Sequence, residues 1–325
     1  MATKDPLSGH PGHLDETQTA ALEAFRKELL ADGLIPQDRE AAKQSIGYDR
    51  YDDTTLLRFL RARKFDLPKA KIMWEANEQW RKEFGTDEIA AHGFDYPEQS
   101  EVDKYYPQFY HRTDREGRPI YIEQLGKLDI GKLYALTSQD RQLKHLVHEY
   151  EKFLKDRLPA CSEEKGELVE TSCTILDLYN AGISSFYRVK DYVSAASTIG
   201  QNYYVTGDHG THVHRQRTSR LHSYHPYTDV RSANDPDPSL SVPTPKSPTD
   251  SQAPYLFSTV WSLVKPWLDE ATVRKIHILG KNYKSELTQY IDPANLPTEL
   301  GGTCKCVGGC SLSDAGPWNK GVQRA

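Results

Sequence analysis

Between residues 15 and 32 the apolar positions Leu22, Phe25 and Leu29 recur at the spacing of one helix face, and Gly33 suits the stop. Asp52-Asp53-Thr54 offers a cap for a second helix over 56–64, with Leu56, Leu57 and Leu60 inward. A third helix starts at Pro68, a good first-turn residue, and stops at Gly85, with Met73, Ala76, Trp80 and Phe84 as its core face. From Tyr105 the period shortens to two. Strands are expected at 108–112 and 119–123, joined by the turn Asp114-Arg115-Glu116-Gly117, with Tyr121 and Glu123 on one face. Helical spacing returns over 138–158, where Leu143, Leu146, Val147, Tyr150 and Phe153 point inward. It returns again over 184–201, with Val189, Tyr192, Val193, Ala196 and Ile199 inward. Between these helices, Glu170 to Leu178 is a β-branched and apolar run suited to a strand covered on both faces. Its period of two sends Ser172, Thr174 and Leu176 to one side and Thr171, Cys173, Ile175 and Asp177 to the other. This alternation predicts an α/β fold, a mainly parallel sheet flanked by helices, behind a helical N-terminal domain.

The pattern then fails. Val205 to Gln252 is rich in His, Ser, Pro, Asp, Thr and Arg and has almost no apolar periodicity, so it reads as a disordered insert. Order returns at Ala253-Pro254. Residues 255–268 are apolar nearly all round, which suits burial or contact with lipid. A short helix from Glu270 leads into a strand ending near Leu279, and a last helix over 283–290 leads to Asn295-Leu296-Pro297 and Leu300-Gly301-Gly302. The expected divisions are a disordered N-terminus at 1–14, a helical domain at 15–95, a lobe formed by 96–204 and 253–312, the insert at 205–252, and a tail at 313–325.

At 325 residues the chain can bury a large core in one or two domains. The net charge of −5 gives no global pull toward nucleic acid or anionic membrane. No run of 18 apolar residues is present to span a bilayer. The polar start, with no signal or transit character, makes the cytosol the default compartment, and five cysteines, an odd number, argue for reduced thiols.

Four cations, Arg58, Arg61, Arg63 and Lys64, crowd the second helix. They form either a solvated face or an anion site, most plausibly for phosphate. Ser172 and Thr174 either bond backbone or offer two hydroxyls beside apolar surface to a greasy ligand with a few polar atoms. Cys304, Cys306 and Cys310 suggest a metal knuckle, but no histidine or fourth cysteine follows at ligand spacing, so no metal is expected. His212 and His214 form a pair without a third ligand. No Gly-x-Ser-x-Gly elbow or Walker loop is present, so an enzyme such as a lipid hydrolase is disfavoured.

Four motifs in order, Leu56 to Phe65, Thr171 to Asp177, Asn295-Leu296-Pro297 with Leu300-Gly301-Gly302, and Ser313 to Trp318, resemble the CRAL-TRIO lipid-binding family, closest to the fungal phosphatidylinositol/phosphatidylcholine transfer proteins. The resemblance implies a helical domain packed on an α/β lobe with one phospholipid cavity. It implies a cytoplasmic, monomeric, non-enzymatic protein, peripheral at Golgi membranes. Such a protein exchanges phosphatidylinositol and phosphatidylcholine and is coupled to phosphoinositide kinase and secretion. No cofactor is implied beyond the bound phospholipid, and no nucleic acid. By matching position, the inositol phosphate falls to Arg63, Lys64, Thr272 and Lys275. The choline headgroup falls to Tyr110, Tyr121, Glu123, Tyr150, Ser172, Thr174 and Tyr204. Phe257, Val260, Trp261 and Val264 fall on a gate helix. The family pattern is broken after Tyr204, where a Pro-Glu-Arg run and an apolar strand are absent. The expectation is therefore a sheet lacking an internal strand. The alternative reading is a mis-spliced or gene-model variant, unstable or inactive in transfer.

Overall fold

The computed structural model describes residues 5, 7–179, 183–204, 212–215, 276–279 and 283–321. Five helices build the N-terminal unit: α1 (Glu16–Ala31), α2 (Arg39–Ile46), α3 (Asp53–Ala62), α4 (Leu67–Phe84) and α5 (Thr86–His92). The first four start on Asp15, Asp38, Asp52 and Asp66, each accepting from a first-turn backbone N–H that would otherwise lack a partner. α2 has no apolar period to betray it, since Ile46 is its one buried residue. Phe25, Leu29, Leu56, Leu57, Leu60 and Trp74 form the core of this unit. The rings of Phe25 and Phe59 meet Trp74 edge-on at 6.3 and 4.8 Å.

Two expectations for this unit change. The inward face of α4 is Ala70, Met73, Trp74, Asn77 and Arg81, while Ala76 is exposed. The helix serves two partners: Met73 and Trp74 pack into the N-terminal core, whereas Trp80 and Phe84 pack on the lobe. Residues 7–14, expected to be disordered, also make defined contacts. His10 Nδ1 meets Glu170 Oε2 at 2.5 Å, Arg61 donates to the Gly9 carbonyl at 3.1 Å, and Leu14 packs on the N-terminal core. Polar composition concealed this because the contacts are hydrogen bonds and ion pairs. Gly9 sits at φ +89° under the Phe65 ring, where a Cβ would come within 3.2 Å.

The lobe continues through α6 (Gln99–Val102), β1 (Gln108–Thr113), β2 (Pro119–Glu123), α7 (Ile130–Leu136), α8 (Gln139–Lys152), α9 (Leu158–Lys165), β3 (Cys173–Asp177), α10 (Ile183–Thr198), β4 (His212–Arg215), β5 (Ile276–Leu279) and α11 (Tyr283–Tyr290). The single helix expected over 138–158 is two, joined by a π-helical turn at Phe153–Arg157. Pro159 explains the break: it has no N–H to give and its ring crowds the carbonyl of residue 155.

The sheet order is β1-β2-β3-β4-β5, with β1 antiparallel to β2 and every other pair parallel. The hairpin turn is locked by Asp114, whose carboxylate accepts from the backbone N–H of Glu116 and Arg118. β4 alters the expectation for the insert. Four of its residues fill the slot between β3 and β5, with Thr174 paired to His212 and His212 to Ile276. The sheet therefore keeps its internal strand, and a short His-Val-His-Arg segment supplies it. The ladder is made by backbone groups, so a segment without apolar periodicity can still complete it. The other residues of the insert lie outside those described.

The two faces of the sheet differ. Phe109, Ile120, Ile122, Cys173, Ile175 and Leu279 pack with Leu287, Ile291 and Leu296 into the main lobe core. By register the opposite face carries Tyr110, Tyr121, Glu123, Thr174 and Leu176, as the alternation in the sequence predicts.

Candidate functional site

Five of the seven residues assigned to the choline side stand on this second face. Tyr110 pairs with Tyr121, and Tyr121 with Thr174, in one row across β1, β2 and β3. Ser172 precedes β3 on the same side and is buried like Thr174. Glu123 lies two residues along from Tyr121. Its carboxylate accepts a hydrogen bond from the Tyr106 hydroxyl. Tyr150 and Tyr204, the other two, stack on each other at 4.5 Å above the face.

Tyr121 and Glu123 share a revealing combination. Each keeps accessible surface, yet burial pushes both pKa values up, with Glu123 itself the next cause at Tyr121. Both carry a desolvation cost although neither is fully covered. The charge of Glu123 is felt at Tyr106, Tyr121 and Tyr192, and Tyr150 is felt at Tyr110, Tyr121 and Tyr192, so these groups form one cluster. The grouping is aromatic and polar.

Tyr110 is more constrained than the sequence implies. The Arg157 guanidinium lies 4.1 Å from the centre of its ring, Phe153 stacks at 5.7 Å, and Trp318 meets it edge-on at 6.4 Å. One aromatic face that could attract a quaternary ammonium is thus already next to a cation. Arg157 is itself buried and pairs with Glu149 at 2.7 Å and Asp314 at 3.3 Å. Burial alone would raise the pKa of Glu149; Arg157, followed by Lys152 and the nearby histidines, brings it down to about 2.

Tyr204 also has a second task. Its hydroxyl donates to Glu151 Oε1 at 2.5 Å, and Tyr48 donates to Glu151 Oε2 at 2.8 Å. Arg81 of α4 reaches the same carboxylate at 2.9 and 3.3 Å, and binds Asp87 at 2.6 Å. Burial opposes the charge on Arg81, and Glu151 heads the groups that outweigh it. Beside this network Trp80 stacks on Tyr203 at 4.2 Å with the rings 4° from parallel. Sequence reasoning missed Glu151, Arg81 and Tyr203, and saw Trp80 only as a core residue of its helix. The signal was an arginine on the inner face of α4 and a glutamate next to Tyr150, neither of which fits a surface helix.

On the inositol side, Arg63 caps α3, and Lys64 and Phe65 follow at φ 51° and 60°, a left-handed turn rare for such residues. Lys64 is exposed, and neither Arg63 nor Lys64 forms an ion pair among the described residues. The other two cations of the patch differ. Arg61 pairs with Glu170 at 3.3 Å, and Arg58 is embedded, its pKa lowered by burial. Thr272, Lys275 and the gate positions Phe257, Val260, Trp261 and Val264 lie outside the described residues.

A further grouping was not foreseen. Cys304, Cys306 and Cys310 are joined by His111 of β1, all four ligand atoms lying within 4.8 Å of one another.

Comparison with known proteins matches this architecture. The CRAL/TRIO domain matches residues 103–216 and 251–302, and the CRAL/TRIO N-terminal domain matches 21–76. The chain belongs to the CRAL-TRIO family. Among its relatives are the Sec14 cytosolic factor of Schizosaccharomyces pombe, 45% identical over 96% of this chain and 91% of that protein, and the SEC14 cytosolic factor of Kluyveromyces lactis, 46% identical over 97% and 88%. The phosphatidylinositol/phosphatidylcholine transfer protein SFH9 of Arabidopsis thaliana is 38% identical over 94% of this chain and 45% of that protein. The crystal structure of Sfh5 has the same fold, with a TM-score of 0.56 at 15% identity, over 85% of this chain and 84% of that one. Among the described residues no helix is long and apolar enough to cross a membrane.

Proposed function

We propose that this chain binds phosphatidylinositol and phosphatidylcholine and exchanges them between membranes. The observation that carries the reading is the sheet face on which Tyr110, Tyr121, Glu123 and Thr174 stand together, Tyr121 and Glu123 partly accessible yet desolvated, with Tyr150 and Tyr204 stacked nearby; we read it as the lining of an enclosed space. Its polar atoms suit a phospholipid headgroup and its aromatic walls suit the glycerol and acyl region. Arg63 and Lys64, which pair with no carboxylate among the described residues, suit a phosphate, the arginine through two parallel hydrogen bonds. Kinship with a phosphatidylinositol/phosphatidylcholine transfer protein supports both ligands.

Exchange does not require bond-making, and the protein acts by binding rather than catalysis. Each buried methylene is worth ~0.8 kcal/mol, so two acyl chains represent tens of kcal/mol in either environment. Reversible exchange requires a pocket whose hydrophobic gain nearly matches the bilayer's, leaving headgroup contacts to tip the balance. The gate positions, apolar all round, are where the chain would touch lipid. The protein acts as a cytoplasmic monomer at Golgi or endosomal membranes and presents phosphatidylinositol to a phosphoinositide kinase. The strand at His212–Arg215 supports a working sheet over an unstable variant.

The test is transfer of labelled phosphatidylcholine and phosphatidylinositol from donor to acceptor vesicles by the purified chain. Both should move, and Tyr121→Ala should impair phosphatidylcholine transfer first. Failure of a folded chain to move either lipid would refute the proposal.

A further inference from the structure

We infer that His111, Cys304, Cys306 and Cys310 form a structural zinc site that fastens the C-terminal segment to the edge of the sheet. Two stretches of chain about two hundred residues apart meet here. His111 is fully buried, Cys304 and Cys306 are buried, and Cys310 is partly covered. All four are of the types that bind zinc, and all five cysteines of the chain are free thiols.

The spacing fits. On tetrahedral zinc with Zn–S near 2.3 Å, two thiolates lie about 3.8 Å apart. Cys304 Sγ and Cys306 Sγ are separated by 3.9 Å. The whole donor set falls within 4.8 Å, a span that small side-chain rotations close to the tetrahedral edge. The backbone is built for convergence. Cys306 and Cys310 are divided by Val307, Gly308 and Gly309, and both glycines take positive φ, 78° and 100°. Only glycine adopts two such residues in succession at low cost, and the turn returns Cys310 to its partners.

The surroundings also suit a metal. Ser313 Oγ lies 3.3 Å from His111 Nδ1, which orients the ring and assigns Nε2 as the ligand. Three thiolates, a neutral imidazole and Zn²⁺ sum to a charge of −1. Arg112 brings one positive charge to 4.0 Å from Cys306 Sγ. It does so from φ +53° at the irregular end of β1, where its backbone N–H also donates to the Ala315 carbonyl. Binding is balanced as one zinc ion taken up and three thiol protons released, with no redox change. The segment so fastened carries Asp314 and Trp318 to Arg157 and Tyr110. Zinc would therefore hold one wall of the enclosed face.

The experiment is elemental analysis of the full chain purified under reducing conditions, paired with cobalt(II) titration of the zinc-depleted chain. One zinc per chain is expected. Cobalt should give the visible bands of a tetrahedral site and a thiolate charge-transfer band. Cys310→Ser, at a partly exposed position, should abolish stoichiometric zinc. Ser313→Ala should weaken affinity about tenfold. Cys161→Ser, outside the cluster, should change neither. A folded wild-type chain with no zinc and no tetrahedral cobalt spectrum would overturn the inference. So would a Cys304–Cys306 disulfide in place of metal, or iron and sulfide in place of zinc.

Discussion

Replacing Glu151 by alanine removes an acceptor that three side chains share. Arg81 loses contacts at 2.9 and 3.3 Å, and the hydroxyls of Tyr48 and Tyr204 lose theirs at 2.8 and 2.5 Å. Removing one partner of a buried ion pair costs roughly 3–5 kcal/mol, and each buried hydroxyl left without a partner about 1–3 kcal/mol. These terms do not add fully, because Arg81 retains Asp87, which is about half exposed. About 3–4 kcal/mol is the expected loss, a large share of the ~5–15 kcal/mol that typically holds a protein folded. At roughly 1.5 °C per kcal/mol for a chain of 325 residues, Tm should fall by about 4–6 °C. Thermal and urea unfolding followed by circular dichroism measure this. Arg81→Met combined with Glu151→Leu should recover only the ion-pair part of the loss, since a well-packed apolar pair replaces a buried ion pair at little cost while the Tyr48 and Tyr204 hydroxyls still lack their acceptor. A Glu151→Ala variant within about 1 kcal/mol of the parent would refute the claim that this carboxylate joins the helical unit to the lobe.

Three further outcomes are expected. The pKa of Glu149 is lowered from 4.5 to about 2, so its stabilising share is present above pH 4.5 and lost as pH falls toward 2; Glu149→Gln should flatten stability across that window in acid titration by circular dichroism. Arg63→Ala with Lys64→Ala removes charge-assisted phosphate contacts worth about 1.5–3 kcal/mol, so phosphatidylinositol transfer should drop roughly tenfold or more while phosphatidylcholine transfer holds. Gly302→Ala would set a Cβ 2.0 Å from the Leu296 carbonyl oxygen, a backbone atom that cannot turn aside, and should cost about 1–3 kcal/mol by urea unfolding.

Much of the architecture was legible because burial writes a period into the chain. The hairpin, the run around Ile175 and the cap at Asp52 are local signals, and the alternation of Ser172 and Thr174 against Cys173 and Ile175 told which face each would take. Three features were not local. β4 makes its ladder from backbone groups in a polar segment, so hydrophobicity could not mark it. The network at Glu151 joins residues from four separate stretches, Tyr48, Arg81, Glu151 and Tyr204, and reveals itself only in the fold. The Cys304 knuckle lacked a fourth ligand because that ligand is His111, on a strand far earlier in the chain. The choline-side residues were placed by likeness to a family, and the structure gathers them on one side of the sheet. It also adds Arg157, whose hold on Tyr110 no motif carried.

The central claim, an enclosed face that holds a phospholipid, is tested most directly by mass spectrometry of lipid extracted from the purified chain. Close to one phosphatidylinositol or phosphatidylcholine per protein, lowered by Tyr121→Ala, is the expected result. A folded chain that carries no phospholipid, and takes none up from vesicles, would contradict it.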